Sequence, residues 1–289
     1  RYFGGNEQDN FQKSVQFSII LSIITTVILT IASILFLKPL LRLLNTPVDI
    51  LDLSQSYISV IMLFCCVTFA YNLLSSILRA IGNSYIPLYA LIIASVLNVI
   101  LDIFFVKTLN MGVRGAAFAT VIAQGFSALF LLIYIAKYCP LLHINIRKFT
   151  INWTILLELL TTGFSMAMML VLTNIGTVIL QGSINSFGTA TITGHTAARK
   201  FHDLCILPLG TICTSSATFV SQNYGARKKE RIKQGVSASI FLGTIWSVLV
   251  LMIVLIAGRQ LIYALTGSTD AIVIGISMKY LYWNVPFYA

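Results

Sequence analysis

Residues 15–37 read VQFSIILSIITTVILTIASILFL and carry no charged side chain. A run of about 20 apolar residues is long enough to cross the hydrocarbon core of a bilayer as a helix. Their length and lack of period-2 alternation disfavour strands, so we predict an all-α, polytopic membrane protein. Runs of this kind recur along the whole chain, at 15–37, 57–78, 86–106, 115–136, 155–180, 191–220, 236–257 and a truncated 271–289.

The composition agrees with a membrane location. The chain is 57% hydrophobic and 10% charged, with a mean hydropathy of +0.90, whereas a soluble domain carries about 25% charged residues. The net charge is +10, but no basic domain is expected outside the membrane to hold a nucleic acid. We therefore expect the lipid bilayer as a partner and no nucleic acid.

The start of the chain recurs near its end at an offset of 221 residues: Phe3-Gly4 returns as Tyr224-Gly225. Each copy consists of a polar loop with glycine, a long apolar run and a short loop with an Asp. Six predicted helices separate the two loops, so both loops lie on one side of the membrane and the repeats are parallel, as in two-lobe carriers. Because the chain starts and stops in mid-repeat, we expect about two further helices at each end.

Loop charge predicts the orientation. One set of alternate loops carries more Lys and Arg than the other, which places that set in the cytoplasm. The richer set holds Arg1, Lys13, Arg79, Lys137, Arg147, Lys148, Arg227, Lys228, Lys229, Arg231 and Lys233, and the poorer set holds Lys38, Arg42, Lys107, Arg114 and Arg259. The polar stretch 137–152 is then the cytoplasmic connection between two lobes, with the boundary near residue 150.

Asn98 and Asp102 are the first candidates for a functional site inside a span. They are four residues apart, so they share one face of a helix. Asp102 is the only charge between Ile86 and Val106. A buried carboxylate without a partner either takes up a proton or needs a cation. The alternative is a paired or headgroup-level position near the outer end of the helix.

A second candidate is the charged segment His195, Arg199, Lys200, His202 and Asp203. The spacing allows Asp203 to neutralise Arg199 or Lys200. We interpret the segment as a charged wall of a central cavity, with a structural ion pair as the alternative. No third ligand with metal-site spacing accompanies the two histidines, and the five cysteines show no such spacing either, so we expect no cofactor.

Several stretches resemble the multidrug and toxic compound extrusion (MATE) transporters. ILRAIGNSYIPLYALIIASVLNVILD (77–102) and MGVRGAAFATVIAQ (111–124) are similar to their first lobe. SINSFGTATITGHTAARKFHDLCILPLG (183–210) and SATFVSQNYGARKKERIKQG (216–235) are similar to the second lobe. The resemblance covers essentially the whole chain. It implies that 1–150 is an N-terminal lobe with helices 3–6 of twelve, and that 151–289 is a C-terminal lobe with helices 7–10, the last one truncated.

The resemblance also implies a function and a site. It suggests a multi-pass protein of the prokaryotic plasma membrane that exports organic cations or drugs by Na⁺ or H⁺ antiport through alternating access. Asn98, Asp102 and Thr120 match positions that bind the coupling cation in one branch of the family, and Tyr57 matches that network less closely. The choice between Na⁺ and H⁺ stays open, and if the coupling ion is a metal ion, the resemblance implies Na⁺ at Asp102. The substrate cavity would then include His195, Arg199, Lys200 and Asp203.

Two other functions are considered. A flippase for lipid-linked oligosaccharides belongs to the same superfamily and would need a more cationic cavity, which Arg199 and Lys200 leave open. A membrane-embedded enzyme would need paired carboxylates or a His/Glu metal motif, and the sequence, with nine acidic residues, shows neither. We therefore predict a transporter and not an enzyme.

Overall fold

The computed structural model describes residues 1–43, 48–142, 151–267 and 270–288. This part of the chain is almost entirely helical and contains no strand, which confirms the all-α prediction. The helices are α1 (Gln8–Leu43), α2 (Val48–Leu63), α3 (Cys65–Ala80), α4 (Tyr85–Asp102), α5 (Gly112–Tyr138), α6 (Trp153–Asn185), α7 (Thr189–Gly225), α8 (Lys229–Thr266) and α9 (Ala271–Asn284). A π-helix spans Ile103–Thr108, and short 3₁₀-helices span Pro140–Leu142 and Val285–Tyr288.

The long helices have the length and the surface of membrane spans. Six of those described are long and apolar enough to cross a bilayer, and the bent pair Leu51–Leu63 and Cys65–Ala80 adds a seventh if it is counted as one span. Their outer faces are apolar: Ile34 on α1 and Phe164 on α6 are 67% and 68% exposed. Such surfaces are stable against lipid and not against water. The protein is therefore a multi-span membrane protein.

The predicted span 57–78 is not one straight helix. It is divided at Phe64, where α2 and α3 meet at an angle of 49°. The Thr30 hydroxyl of α1 donates to the Met62 carbonyl at 3.5 Å and lies 3.2 Å from the Cys65 sulfur. A side chain that takes a carbonyl out of the helical hydrogen-bond ladder is an established cause of a kink. The sequence offers no Pro or Gly at this position, so the break was not predictable from it.

The chain separates into two compact units. The N-terminal unit comprises Tyr2 and Glu7–Leu159, and the C-terminal unit comprises Arg1, Phe3–Asn6 and Leu160–Ala289. The N-terminal unit packs α1, α3, α4 and α5 around a core that includes Leu78 and Leu131. The C-terminal unit packs α7, α8 and α9 around Val254 and Leu281. Each unit therefore has a hydrophobic core of its own.

The two copies of the repeated loop are in contact within the C-terminal unit. A Cβ on Gly4 would overlap the backbone of Gln222, and a Cβ on Gly225 would overlap the carbonyl oxygen of Arg1. These positions exchange under the offset of 221 residues, because Arg1 corresponds to Gln222 and Gly4 to Gly225. Glycine is needed in both copies because each backbone approaches the other too closely for a side chain.

Candidate functional site

Asp102 is the last residue of α4 and is half-buried. Its Oδ1 is buried and has no hydrogen-bond partner within the described part of the chain. The helix continues directly as the π-helix Ile103–Thr108, and π-helical turns occur frequently at functional sites. A buried carboxylate oxygen without a partner is unfavourable unless a proton or a cation compensates it. Asp102 therefore has the properties of an ion-binding group.

Asn98 lies one helical turn before Asp102 on α4, and Thr120 meets Asn98 from the facing helix α5. Asn98 Nδ2 donates to Thr120 Oγ1 at 3.4 Å, and Thr120 Oγ1 donates its own proton to the Ala116 carbonyl oxygen at 3.0 Å. The amide nitrogen is thus used for packing. The amide oxygen of Asn98 receives no hydrogen bond from the residues that the structure describes.

The connection from α4 to α5 holds this group in place. It turns through Asn110 and Gly112, both with positive φ, at 52° and 56°. At the start of α5, a Cβ on Gly115 would lie 3.0 Å from the Cβ atoms of Met111 and Phe105. The close approach of Gly115 to the π-helix sets the distance between the end of α4 and the first turns of α5. It thereby fixes Thr120 relative to Asp102.

The chemistry of this group suits a small hard cation or a proton. Carboxylate, amide and hydroxyl oxygens are the ligands that hard cations prefer. The described residues contain no cluster of three His, Cys, Asp or Glu side chains that could hold a metal ion. A single carboxylate with neutral oxygens balances the charge of a monovalent cation or a proton better than that of a divalent cation.

Tyr57 is on α2, which packs against α5, and its side chain is half-buried. The structure records no hydrogen bond from Tyr57 to Asp102, Asn98 or Thr120 among the residues it describes. The structure thus brings Asn98 and Thr120 together and leaves Tyr57 outside their hydrogen bonds.

The charged segment lies on α7 and does not form the ion pairs that its spacing allows. Arg199 donates to the Thr177 hydroxyl of α6 at 3.2 Å. Lys200 and Asp203 are exposed on the surface of the C-terminal unit. In the described ranges, neither cation lies within 4.0 Å of the Asp203 carboxylate. The alternative of a structural ion pair is therefore not the arrangement that the structure adopts.

His195 is also on α7 but differs from its charged neighbours because it is buried, with 6% exposure. Its ring meets the Tyr280 ring of α9 edge-on, with 5.1 Å between ring centroids. Neither ring nitrogen has a hydrogen-bond partner within the part of the chain that is described. His195 is thus packed between α7 and α9, behind the exposed charges.

One polar contact near this segment was not predicted. His202 Nδ1 lies 2.6 Å from the Tyr288 hydroxyl, and the ring of His202 also contacts Tyr280. The sequence identified His202 as part of the charged segment but gave no reason to connect it with Tyr288, 86 residues later. A contact of this range depends on how the 3₁₀-helix after α9 packs against α7, and it has no signature in local spacing.

The sequence model of the MatE family matches residues 1–104 and 162–289. The chain belongs to the MatE family. Among curated proteins, this MatE chain is 29% identical over 249 residues to "Probable multidrug resistance protein YpnP" of Bacillus subtilis (strain 168), a match that covers 86% of this chain and 55% of the relative. It is 23% identical over 236 residues to "Multidrug export protein MepA" of Staphylococcus saprophyticus, covering 82% of this chain and 52% of that protein.

Solved structures show the same fold. The chain superposes with a TM-score of 0.91 and 24% identity on the outward-facing conformation of a multidrug resistance MATE family transporter, covering 100% of this chain and 64% of that one. A MOP superfamily transporter from Pyrococcus furiosus gives a TM-score of 0.90 at 24% identity, covering 97% and 63%. This MatE chain spans about half the length of the curated relatives that it matches.

Proposed function

We propose that this chain forms part of a cation-coupled antiporter that exports organic cations or drugs in exchange for Na⁺ or H⁺. Its two lobes, 1–150 and 151–289, would provide alternating access. The observation that carries the proposal is the buried Oδ1 of Asp102, which lacks a hydrogen-bond partner among the described residues. An ionisable group inside a membrane span is by default a candidate for an ion pathway. The names of the relatives, which describe multidrug resistance and export proteins, support the same function.

In this proposal Asp102 supplies the charge that attracts the coupling ion. Asn98 and Thr120 supply neutral oxygens on the same side of α4 and α5, and the hydrogen bond of 3.4 Å between them fixes their positions. Tyr57, on the neighbouring α2, contributes from the edge of the site. A proton would bind to the carboxylate alone, whereas Na⁺ would use all the oxygens. Both ions neutralise the buried charge.

The substrate cavity is proposed to lie along the charged face of α7. Lys200 and Asp203 are exposed and unpaired within 4.0 Å in the described ranges, so they need water or a polar substrate around them. Arg199 is held by Thr177. His195 lies behind this face and contributes by positioning Tyr280. An organic cation would be attracted by Asp203 and rejected from the part of the cavity near Lys200.

A flippase for lipid-linked oligosaccharides is the second candidate, favoured by the two cations Arg199 and Lys200. Diphosphate-linked sugars carry negative charge and would bind to such a pair. For the MOP superfamily transporter from Pyrococcus furiosus, the reverse polarity of the binding pocket suggests a different function.

The two functions are separated by transport assays in proteoliposomes. The protein to use is a transporter of the relatives' length that carries this sequence. Antiport predicts efflux of ethidium that depends on an imposed Na⁺ or pH gradient, with no movement of a fluorescent lipid-linked oligosaccharide. Movement of the lipid-linked sugar without gradient-driven ethidium efflux would contradict the antiporter and favour the flippase.

A further inference from the structure

A polar cavity of about 500 Å³ lies in the N-terminal unit, apart from the coupling site. It is formed by the end of α1, the first turns of α2 and the start of α5. Its lining does not include Asp102, Asn98 or Thr120. Its volume falls within the roughly 300–1,000 Å³ typical of ligand pockets. The polar side chains around it are Lys38, Asp52, Gln55, Ser56, Ser59 and Arg114.

The three charged groups of this cavity are held apart. Among the described residues, neither Lys38 nor Arg114 lies within 4.0 Å of the Asp52 carboxylate. Arg114 donates one hydrogen bond, to Ser56 Oγ at 3.2 Å, which anchors it to the wall. A guanidinium has five N–H donors, so donors remain on Arg114 for a ligand in the cavity that it lines. Two cations and one carboxylate that do not neutralise one another are an arrangement for a ligand with charges of both signs.

The cavity lies at one end of the spans, where we expect the membrane interface. Lys38 is in the last turns of α1, and Arg114 is in the first turn of α5. On α1 the neighbouring side chains Ile34 and Leu35 are 67% and 62% exposed, as expected for a surface against acyl chains. The remaining wall is apolar, from Val60 and Phe118. A polar space that adjoins a lipid-facing surface suits a molecule with a charged head and apolar chains.

We propose that this cavity binds the headgroup of phosphatidylethanolamine. The phosphodiester would bind to Arg114 and Lys38, because guanidinium and ammonium groups are the usual partners of phosphate oxygens. The ammonium of ethanolamine would bind to the Asp52 carboxylate. An anionic lipid has no ammonium group, so its phosphate would lie near Asp52 with no positive charge of the lipid between them. Ser56, Ser59 and Gln55 supply further hydrogen bonds. This lipid site is independent of ion coupling and of transport.

The test is native mass spectrometry of the purified chain in detergent, with added dioleoylphosphatidylethanolamine or dioleoylphosphatidylglycerol. The parent is expected to retain one ethanolamine lipid in preference to the glycerol lipid. Lys38→Gln and Arg114→Gln should each weaken that binding about tenfold, the effect of losing one charge-assisted contact. Asp52→Asn should remove the preference for ethanolamine over glycerol.

Arg259→Gln is the matched control, since Arg259 is an exposed cation of α8 that does not line the cavity. Gel filtration and helical circular dichroism establish that each variant is folded. Arg114→Gln also removes the hydrogen bond to Ser56. If that loss unfolds the variant, Lys38→Gln alone still tests the proposal. Equal retention of the lipid by the parent and Lys38→Gln would overturn the proposal. The proposal would also be overturned if phosphoethanolamine, the headgroup without chains, bound as tightly as the lipid. The site would then bind a soluble phosphate ester.

Discussion

Asn98 and Thr120 are joined by a hydrogen bond of 3.4 Å that links α4 to α5 one helical turn before Asp102. Thr120 accepts this bond because its own proton is donated to the Ala116 carbonyl. The bond holds the amide nitrogen of Asn98 against α5 and leaves its amide oxygen without a donor among the described residues. The helix pair thus presents a carboxylate oxygen and an amide oxygen that its own packing does not use, whereas the Thr120 oxygen already takes part in two hydrogen bonds.

Asn98→Ala is expected to weaken ion coupling without abolishing it. One neutral ligand contributes about 1 kcal/mol, so the ion concentration for half-maximal transport should rise roughly fivefold. The measurement is ethidium efflux from proteoliposomes at a series of Na⁺ concentrations or pH values. Ser95→Ala, at an exposed position of the same helix, should leave the curve in place. An unshifted curve for Asn98→Ala would remove Asn98 from the site.

Gly194→Ala should destabilise the C-terminal unit by about 1–3 kcal/mol, the usual cost of overpacking. A Cβ there would lie 2.8 Å from the Val273 carbonyl oxygen, and the Ser277 hydroxyl already donates to the Gly194 carbonyl at 2.8 Å. Gly210→Ala, on the same helix, meets nothing within 4 Å and should be neutral or slightly stabilising. Thermal unfolding in detergent compares the two. Equal melting temperatures would show that α7 and α9 are not packed this closely.

The long apolar elements were predictable because hydrophobic length alone determines a membrane span. The run 15–37 lies within α1, and the run 236–257 lies within α8. The break at Phe64 was not predictable, since it depends on a hydroxyl of another helix. The π-helix after Asp102 was missed for a similar reason, because no local residue pattern signals it.

The candidate site was predictable only in part. The spacing of Asn98 and Asp102 placed them on one face of a helix, but their proximity to Thr120 came from the resemblance and not from spacing. The spacing of Arg199 and Asp203 also allowed an ion pair, yet the guanidinium binds Thr177 instead. Periodicity states which side chains can meet along one helix. Which of several partners a side chain takes depends on packing between helices.

Lys200→Gln and Asp203→Asn should each change the drug-resistance spectrum of a full-length transporter that carries this sequence. Removing the Lys200 charge should raise resistance to cationic drugs. Removing the Asp203 carboxylate should lower that resistance several-fold, as expected for one charge in a partly desolvated cavity. Growth on a panel of cationic and neutral drugs measures the change. Lys233→Gln, in an exposed pair with Glu230, is the control. Unchanged spectra at normal expression for both variants would refute the cavity assignment.

A cysteine at Lys229 tests the orientation. The loop 223–234 is predicted to be cytoplasmic, on the side of Arg1, because of the excess of Lys and Arg in that set of loops. In a background without the native cysteines, an impermeant maleimide should label Lys229→Cys in lysed cells and not in intact cells. A cysteine at Arg259 should show the opposite pattern. Labelling of Lys229→Cys from outside would reverse the orientation.

Asp102→Asn tests the central claim most directly. The amide keeps the size of the side chain and one carbonyl ligand, but it neither releases a proton nor carries the charge that offsets dehydration of Na⁺. In proteoliposomes of the full-length transporter, ethidium efflux driven by a Na⁺ or pH gradient should fall to the rate without a gradient. Asp9→Asn, which removes the ion pair between the exposed Asp9 carboxylate and Lys13, should transport like the parent. Undiminished gradient-driven efflux by folded Asp102→Asn protein would contradict the account.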